Sequence, residues 1–305
     1  MAAGNNFHQL IAENKRNSVL LILVVFGILF LLGAALGRLY GDLSLGLVIG
    51  VVTAGLCVLF AWSFGDSMVL SACGGVEIQK SDAPQLFNVV EEMSIAAGIP
   101  MPKVYIIPTD APNAFATGIS PESSSVAVTS GLLQKLNREQ LQGVIAHEIG
   151  HIRNFDIRVS LLMATLVGGI ALLSDIFLRS FLLTGGGSRR RDNNNNGNAQ
   201  ILLIVAGIVL AIIGTVLAQI VQMAVSRQRE YLADASAVEF TRNPTGLMEA
   251  LQILGGDKTP MKSSGAATDN MYIVSPALKL RGGADSLFST HPPIPERVAR
   301  LQKLM

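Results

Sequence analysis

Residues 145–154 read IAHEIGHIRN. His147 and His151 are four apart, and on a helix such residues share a face with β-carbons about 6 Å apart. Two imidazoles so placed can grip one metal ion, and Glu148 can reach a water beside it. This is the His-Glu-x-x-His arrangement of zinc hydrolases, and it requires a third ligand. The chain holds four histidines. His8 lies in an N-terminal tail and reads as solvated, which leaves His291 or a carboxylate. Glu230, in REYLAD, is the stronger candidate. Asp234 follows one turn later on the same face, placed to accept the free ring proton of His147, as an aspartate does in zinc hydrolases whose third ligand is glutamate.

Two neutral imidazoles and one carboxylate would leave a zinc ion, one per chain, with net positive charge and an open position. Such an ion acidifies water toward a pKa of ~7. Glu148 would take the proton as that water attacks an amide carbonyl, then pass it to the leaving nitrogen. The developing oxyanion needs a further donor. His291, beside the prolines of STHPPIPERVARL, is one candidate and Tyr231 the other. Imidazole and carboxylate ligands with a hydrolytic base suit zinc best. PNAFATG, 112–118, reads as an extended segment whose backbone at Asn113, Ala114 and Phe115 could bind a substrate strand. Asn113 could instead contact the scissile carbonyl, and a plain turn and strand of the core is the third reading. Asp156 reads as capping or orienting the helix that enters the next apolar run.

These residues sit in two polar blocks set between apolar runs. Half of the 305 residues are hydrophobic and 15% are charged, too apolar a balance for an ordinary soluble enzyme. The net charge of +1 gives nucleic acid nothing to bind. Cys57 and Cys73 lack zinc-ligand spacing and read as thiols, not as a bridge. Runs 17–37 and 43–65 carry no charge and reach the ~20 residues a bilayer needs. Run 159–183 is interrupted by Asp175 and Arg179, which can neutralise each other at i, i+4, and run 201–225 is uncharged. The last two either cross or form a re-entrant hairpin. Either way the chain returns to its starting side, so Glu230 and His151 share a face of the membrane. The first run is too long for a signal-peptide core and reads as an uncleaved anchor.

The expected fold is a mainly α integral membrane protein: four transmembrane helices plus a small α+β, zincin-like catalytic domain assembled from two polar blocks. Residues 1–65 hold the tail and two anchors, and 66–156 the first half of the catalytic domain. Residues 157–225 hold two membrane helices joined by a disordered connector, 185–198, and 226–305 the second half. In the first half, SDAPQLFNVVEEMSIAAG reads as a helix capped by Ser81 or Asp82 with Pro84 in its first turn. KVYIIP and SSSVAVTSG read as strands. Asn137 and Gln140 form a capping box for the HEIGH helix, which is expected to run on into the third apolar run. In the second half, helices are expected over VSRQREYLADASAVEFTRN, TGLMEALQILGG and PERVARLQKL.

Taken together, PNAFATG, HEIGHIRNFD, SRQREYLADASAVE, FSTHPPIPERVARL and the two N-terminal anchors resemble the HtpX-type membrane zinc metalloproteases of bacteria, which are related to the CAAX prenyl proteases. The resemblance covers nearly the whole chain. It implies a zinc metalloendopeptidase with His147, His151 and Glu230 on the metal and Glu148 as base. It also implies protein substrates, damaged membrane proteins degraded under stress, and a multi-pass place in the inner membrane with the catalytic domain toward the cytoplasm. Basic residues flanking the runs are nearly balanced between the two sides, so orientation follows from the resemblance and not from charge. Two rival readings stay open: a processing peptidase for lipidated or membrane peptides, and a membrane scaffold holding a structural zinc without turnover. The oligomeric state is not legible here.

Overall fold

The computed structural model describes residues 41–162, 227–261, 271–274 and 292–304, with parts of 16–38 and with Asp175, Ile176 and Arg179. Contacts divide the chain into two units, one built mainly from Phe64–Leu161 and Met223–Met305, the other from Lys15–Ser63 and Leu162–Gln222.

In the second of these, the apolar helix Phe26–Ala35 is followed by the first part of a 30-residue helix, α1 (Leu43–Ala72). Its stretch Leu43–Phe60 is long and apolar enough to cross a bilayer. Leu45, Val48, Val51, Leu56 and Leu59 stand exposed along it. Exposed apolar surface of that extent calls for a lipid or protein partner. The two helices touch through glycine: a Cβ on Gly33 would lie 2.5 Å from the Gly46 carbonyl oxygen, and one on Gly46 would lie 2.3 Å from that of Gly33. Small residues of this kind let apolar helices approach backbone to backbone. Most of the expected third and fourth crossings, and the connector 185–198, lie outside the described residues. At the described positions, Arg179 Nε donates to Asp175 Oδ2 at 2.7 Å, the pairing that their spacing predicts.

The other unit is built on a four-stranded sheet in the order β1 (Val76–Glu77), β2 (Lys103–Ile107), β4 (Ser123–Thr129), β3 (Ala114–Ser120). β2 and β4 run parallel, and both outer pairs are antiparallel. Both faces of the sheet are covered, which is why β3 and β4 read as almost unbroken small and apolar runs without a polar face. Val126, Val128, Ala114 and Ala116 face a core made with the helices α2 (Pro84–Ala97) and α4 (Arg138–Arg153). Ala127, Phe115 and Ile119 face the opposite way, toward Val69, Leu70, Leu161, Met261 and Tyr272.

The short helix α3 (Ser130–Lys135) links β4 to α4. Asn137 and Gln140 close the expected capping box at the start of α4. α2 has Pro84 in its first turn as expected, but it starts later than a Ser81 or Asp82 cap would place it: Ala83 caps it without a side-chain bond, while the Asp82 carboxylate accepts from the Gln79 amide. A helix follows over 227–241, then α5 (Pro244–Gly256) and α6 (Ile294–Gln302). The HEIGH helix does not run on into the third apolar run. It ends at Asn154, Phe155 takes a positive φ of 60°, and a new helical stretch occupies 156–162.

α4 lies close to its neighbours because its inward face carries glycine. A Cβ on Gly143 would meet the Leu247 amide nitrogen at 2.5 Å, and one on Gly150 would meet Ser236 Cβ at 3.1 Å. Gly143→Ala should therefore destabilise the catalytic unit by roughly 1–3 kcal/mol through overpacking, although alanine is the better helix former by about 1 kcal/mol. The check is thermal or denaturant unfolding of the detergent-solubilised protein, where a net gain in stability would contradict the close backbone approach.

Candidate metal centre

α4 carries Gly143, His147 and Gly150 on one face, at i, i+4 and i+7. The glycines on either side of His147 bring the partner helices in, so the shorter acidic side chains of 227–241 can reach the imidazoles. Glu230 and Asp234 both do so. His147 Nδ1 lies 3.0 Å from Asp234 Oδ1, and His147 Nε2 lies 3.5 Å from Glu230 Oε2. His151 Nε2 lies 3.4 Å from Glu230 Oε1 and 3.2 Å from His147 Nε2. A tetrahedral ion with ~2.0–2.1 Å bonds holds its ligand atoms about 3.3–3.4 Å apart. The two nitrogens, and each nitrogen with the Glu230 oxygen it faces, stand near that edge length; the rings face different oxygens of the carboxylate, and one atom from each residue lies within 4.8 Å of the others, so the donor set fits zinc.

The break after α4 has a consequence for His151. With the chain turned at Phe155, Asp156 folds back and its Oδ2 lies 3.0 Å from His151 Nδ1. A carboxylate can only accept, so each ring holds its proton on Nδ1 and turns Nε2 toward Glu230. Asp156, expected to cap or orient the following helix, thus serves His151 as Asp234 serves His147. Glu148 is buried, 2% exposed, and lines the same pocket with Ala116, Ser160 and Arg229.

The sequence reading missed Arg297. It is the most enclosed charge of the site, 1% exposed, and it comes from α6. Its Nε and Nη2 donate to the two Asp234 oxygens at 2.9 and 2.6 Å, and its Nη1 lies 3.2 Å from Glu230 Oε2. A signal was present. Ile294, Arg297, Val298 and Leu301 follow i, i+3, i+4, i+7, an apolar stripe with arginine in one slot.

Other expected residues fall elsewhere. Asn113, Ala114 and Phe115 were expected to touch substrate, but all three are enclosed. Asn113 Nδ2 donates to the Val274 carbonyl at 2.6 Å, and its Oδ1 accepts from the Val274 amide at 3.2 Å. Phe115 packs edge-on against Tyr272. The β3 residue that lines the pocket is Ala116. Tyr231, the alternative oxyanion donor, instead gives its hydroxyl proton to Glu296 Oε1 at 2.7 Å. His291 lies outside the described residues.

Burial disfavours a charge on either histidine, but the carboxylates outweigh it. Hydrogen bonds and charge from Asp156 and Glu230 push His151 up to about 10. His147 is raised as well: burial and Arg297 oppose its charge, and Asp234 and Glu230 favour it. Burial would lift the Asp234 carboxyl, yet Arg297 and His147 hold it below the usual carboxylate range. Protons and a metal cation therefore compete for the same two nitrogens.

A buried His-Glu-x-x-His pair joined by a distant glutamate defines an HExxH-type metallopeptidase. Comparison with known proteins agrees: the profile of peptidase family M48 matches residues 80–305. The chain is 47% identical to a protease HtpX homolog of Listeria monocytogenes serovar 1/2a, over 96% of this chain and 98% of that protein. It is 43% identical to a protease HtpX homolog of Streptococcus gordonii, over 96% and 98% respectively. In fold it is similar to the crystal structure of S. mikatae Ste24p, with a TM-score of 0.52 and 20% identity, over 96% of this chain and 66% of that one. The chain belongs to peptidase family M48, among its HtpX-type members, and is a membrane-associated metalloprotease.

Two measurements check the site. Asp156→Asn and Asp234→Asn should each weaken zinc binding ~10–100-fold, read by competition with a chelator. In chelator, the His151 proton stabilises the fold, because its folded pKa of about 10 lies above the unfolded value near 6.5. That contribution is complete below pH ~6.5 and is lost as pH rises toward 10. The chelated protein should therefore lose melting temperature between pH 7 and 9.5, and Asp156→Asn should flatten the slope.

Proposed function

We propose that the chain is a membrane-anchored zinc endopeptidase with one ion on His147, His151 and Glu230 and with Glu148 as general base. Its substrates would be damaged or misfolded membrane proteins, cleaved at the cytoplasmic face of the bacterial inner membrane. The observation that carries this reading is the meeting of His147, His151 and Glu230, one ligand atom from each within 4.8 Å of the others, beside Glu148. The exposed apolar stretch Leu43–Phe60 supports membrane anchoring. The quality-control role, the multi-pass topology and the orientation are supported by the similarity to protease HtpX homologs over nearly the full chain.

Zinc, when bound, supplies Lewis acidity that polarises a carbonyl and lowers the pKa of a water. Glu148 takes that water's proton as its oxygen attacks the amide carbon, then delivers it to the departing nitrogen. Asp234 and Asp156 keep the Nδ1 protons in place, so neither ring turns over during the cycle. Arg297 keeps Asp234 ionised and aligned.

Substrate would enter along the outer edge of β3, past the point where Ile273 pairs with it. Asn113 C=O points to β4, where it accepts from the Thr129 amide, whereas Ala114 C=O points outward and accepts from the Ile273 amide at 3.0 Å. Strand alternation then turns the backbone groups of Ala116 outward too, beside the pocket that Ala116 lines. An extended peptide can pair there in β-fashion.

Glu148→Gln should keep its zinc and lose roughly 10²–10⁴-fold in turnover. Glu230→Ala should lose both metal and activity. The measurement is zinc content and cleavage of an unfolded membrane protein, after chelation and stepwise zinc addition to the detergent-purified protein. Undiminished cleavage by Glu148→Gln with its metal in place would remove hydrolysis by this site and leave the scaffold reading.

A further inference from the structure

Two arginines are buried at the metal centre, and they differ in what their donors do. Arg297 is committed: Nε and Nη2 to Asp234, and Nη1 toward Glu230. Arg229 is not. It immediately precedes the ligand Glu230, it is 5% exposed, and it lines the pocket with His147, Glu148 and His151. Its Nη1 is enclosed and makes no hydrogen bond among the described residues. A buried guanidinium with a donor to spare is costly unless an anion or a carbonyl oxygen comes to it. Peptide hydrolysis brings such an oxygen. As water adds to the amide carbon, the π pair of the C=O moves onto oxygen. Donors fixed in advance around that oxygen stabilise it without reorganising.

We propose that Arg229 is the cationic donor that receives the scissile carbonyl oxygen as it becomes an oxyanion. The inference rests on the endopeptidase reading. It fills the role for which Tyr231 is spent on Glu296. No atom is transferred to or from Arg229. Its N–H donates to the oxygen while the water proton passes through Glu148 to the leaving nitrogen, and the oxyanion reverts to C=O as the C–N bond breaks. Adjacent helix positions differ by about 100°, so Glu230 and Arg229 can flank one pocket from a single turn.

The experiment uses the full chain in detergent, loaded with zinc, and compares wild type, Arg229→Met and Arg229→Lys on a quenched fluorescent peptide. Arg229→Met should keep one zinc per chain and a wild-type melting temperature, with kcat lowered ~10²–10³-fold and KM within a few-fold. Its affinity for a phosphinic peptide that mimics the tetrahedral state should fall in proportion to kcat/KM, a readout independent of turnover. Arg229→Lys, which keeps the charge, should recover part of both and guards against misfolding of the methionine variant. A kcat within three-fold of wild type, or unchanged phosphinate affinity, would overturn the assignment. Loss of zinc in both variants would also overturn it, because Arg229 would then act by placing Glu230. Wild type that binds zinc and the phosphinate but never cleaves would instead bring down the endopeptidase reading.

Discussion

Glu148, Asp156, Glu230 and Asp234 are four carboxylates buried around one pair of imidazoles, and two buried arginines, Arg229 and Arg297, stand against them. Counted formally among the described residues, the carboxylates exceed the arginines by two charges. Burying unpaired charge is among the most expensive arrangements a protein can hold, so something must supply two positive charges. Two protons on the histidines would do it, and so would one divalent cation. The upward pKa of both His147 and His151 is the protein-only expression of that imbalance. A cation of charge two, held by neutral imidazoles and one carboxylate, settles the same deficit while keeping each Nδ1 proton on its aspartate. The pocket is thus charged for a metal as well as shaped for one.

Keeping six charges together in so small a space is a packing problem before it is a chemical one. Aspartate is short, and it reaches His147 because Gly143 and Gly150 let the backbones of α5 and 227–241 come close on either side. Arg297 then ties α6 to Asp234 and Glu230, so three helices from distant parts of the chain share one ion network. Such a network is weak as a source of net stability, since desolvation offsets most of the attraction. What it provides is register. Sliding 227–241 by one residue along α4 would leave both carboxylates and Arg297 buried and unpaired.

The parts of the site written into local helical periodicity were legible in sequence. His147 with His151, and Glu230 with Asp234, are each i, i+4 pairs, and such spacing states a geometry without reference to the rest of the fold. The capping box at Asn137 and the strands β2 and β4 were legible for the same reason. Features set by long-range packing were not. Arg297 acts 63 residues from Asp234, on a helix whose charged residues suggest a solvated face. Asp156 reaches back to His151 only because Phe155 adopts a left-handed backbone, which nothing in the residue type of phenylalanine announces. Asn113 admitted a recognition reading because it opens an extended segment that could pair with a substrate strand or meet its scissile carbonyl. It is consumed in holding the backbone of Val274.

That use of Asn113 also bears on how substrate would be read. With Ile273 paired to Ala114, the β3 edge is taken on one side, and the next outward groups belong to Ala116 at the pocket. Under the endopeptidase reading, a peptide would begin pairing there, with its backbone aligned by main-chain bonds that are the same for every residue type. Met271, Ile273 and Ile157 line the pocket around that point and offer apolar contact in place of charge selection. Backbone pairing that ignores sequence, joined to a mildly apolar pocket, suits substrates that have in common an unfolded, extended, hydrophobic stretch and no shared motif. A folded helix or an intact transmembrane segment has no free main-chain groups to present. Discrimination would then rest on whether a stretch of chain is unfolded, which is the property that separates damaged proteins from sound ones.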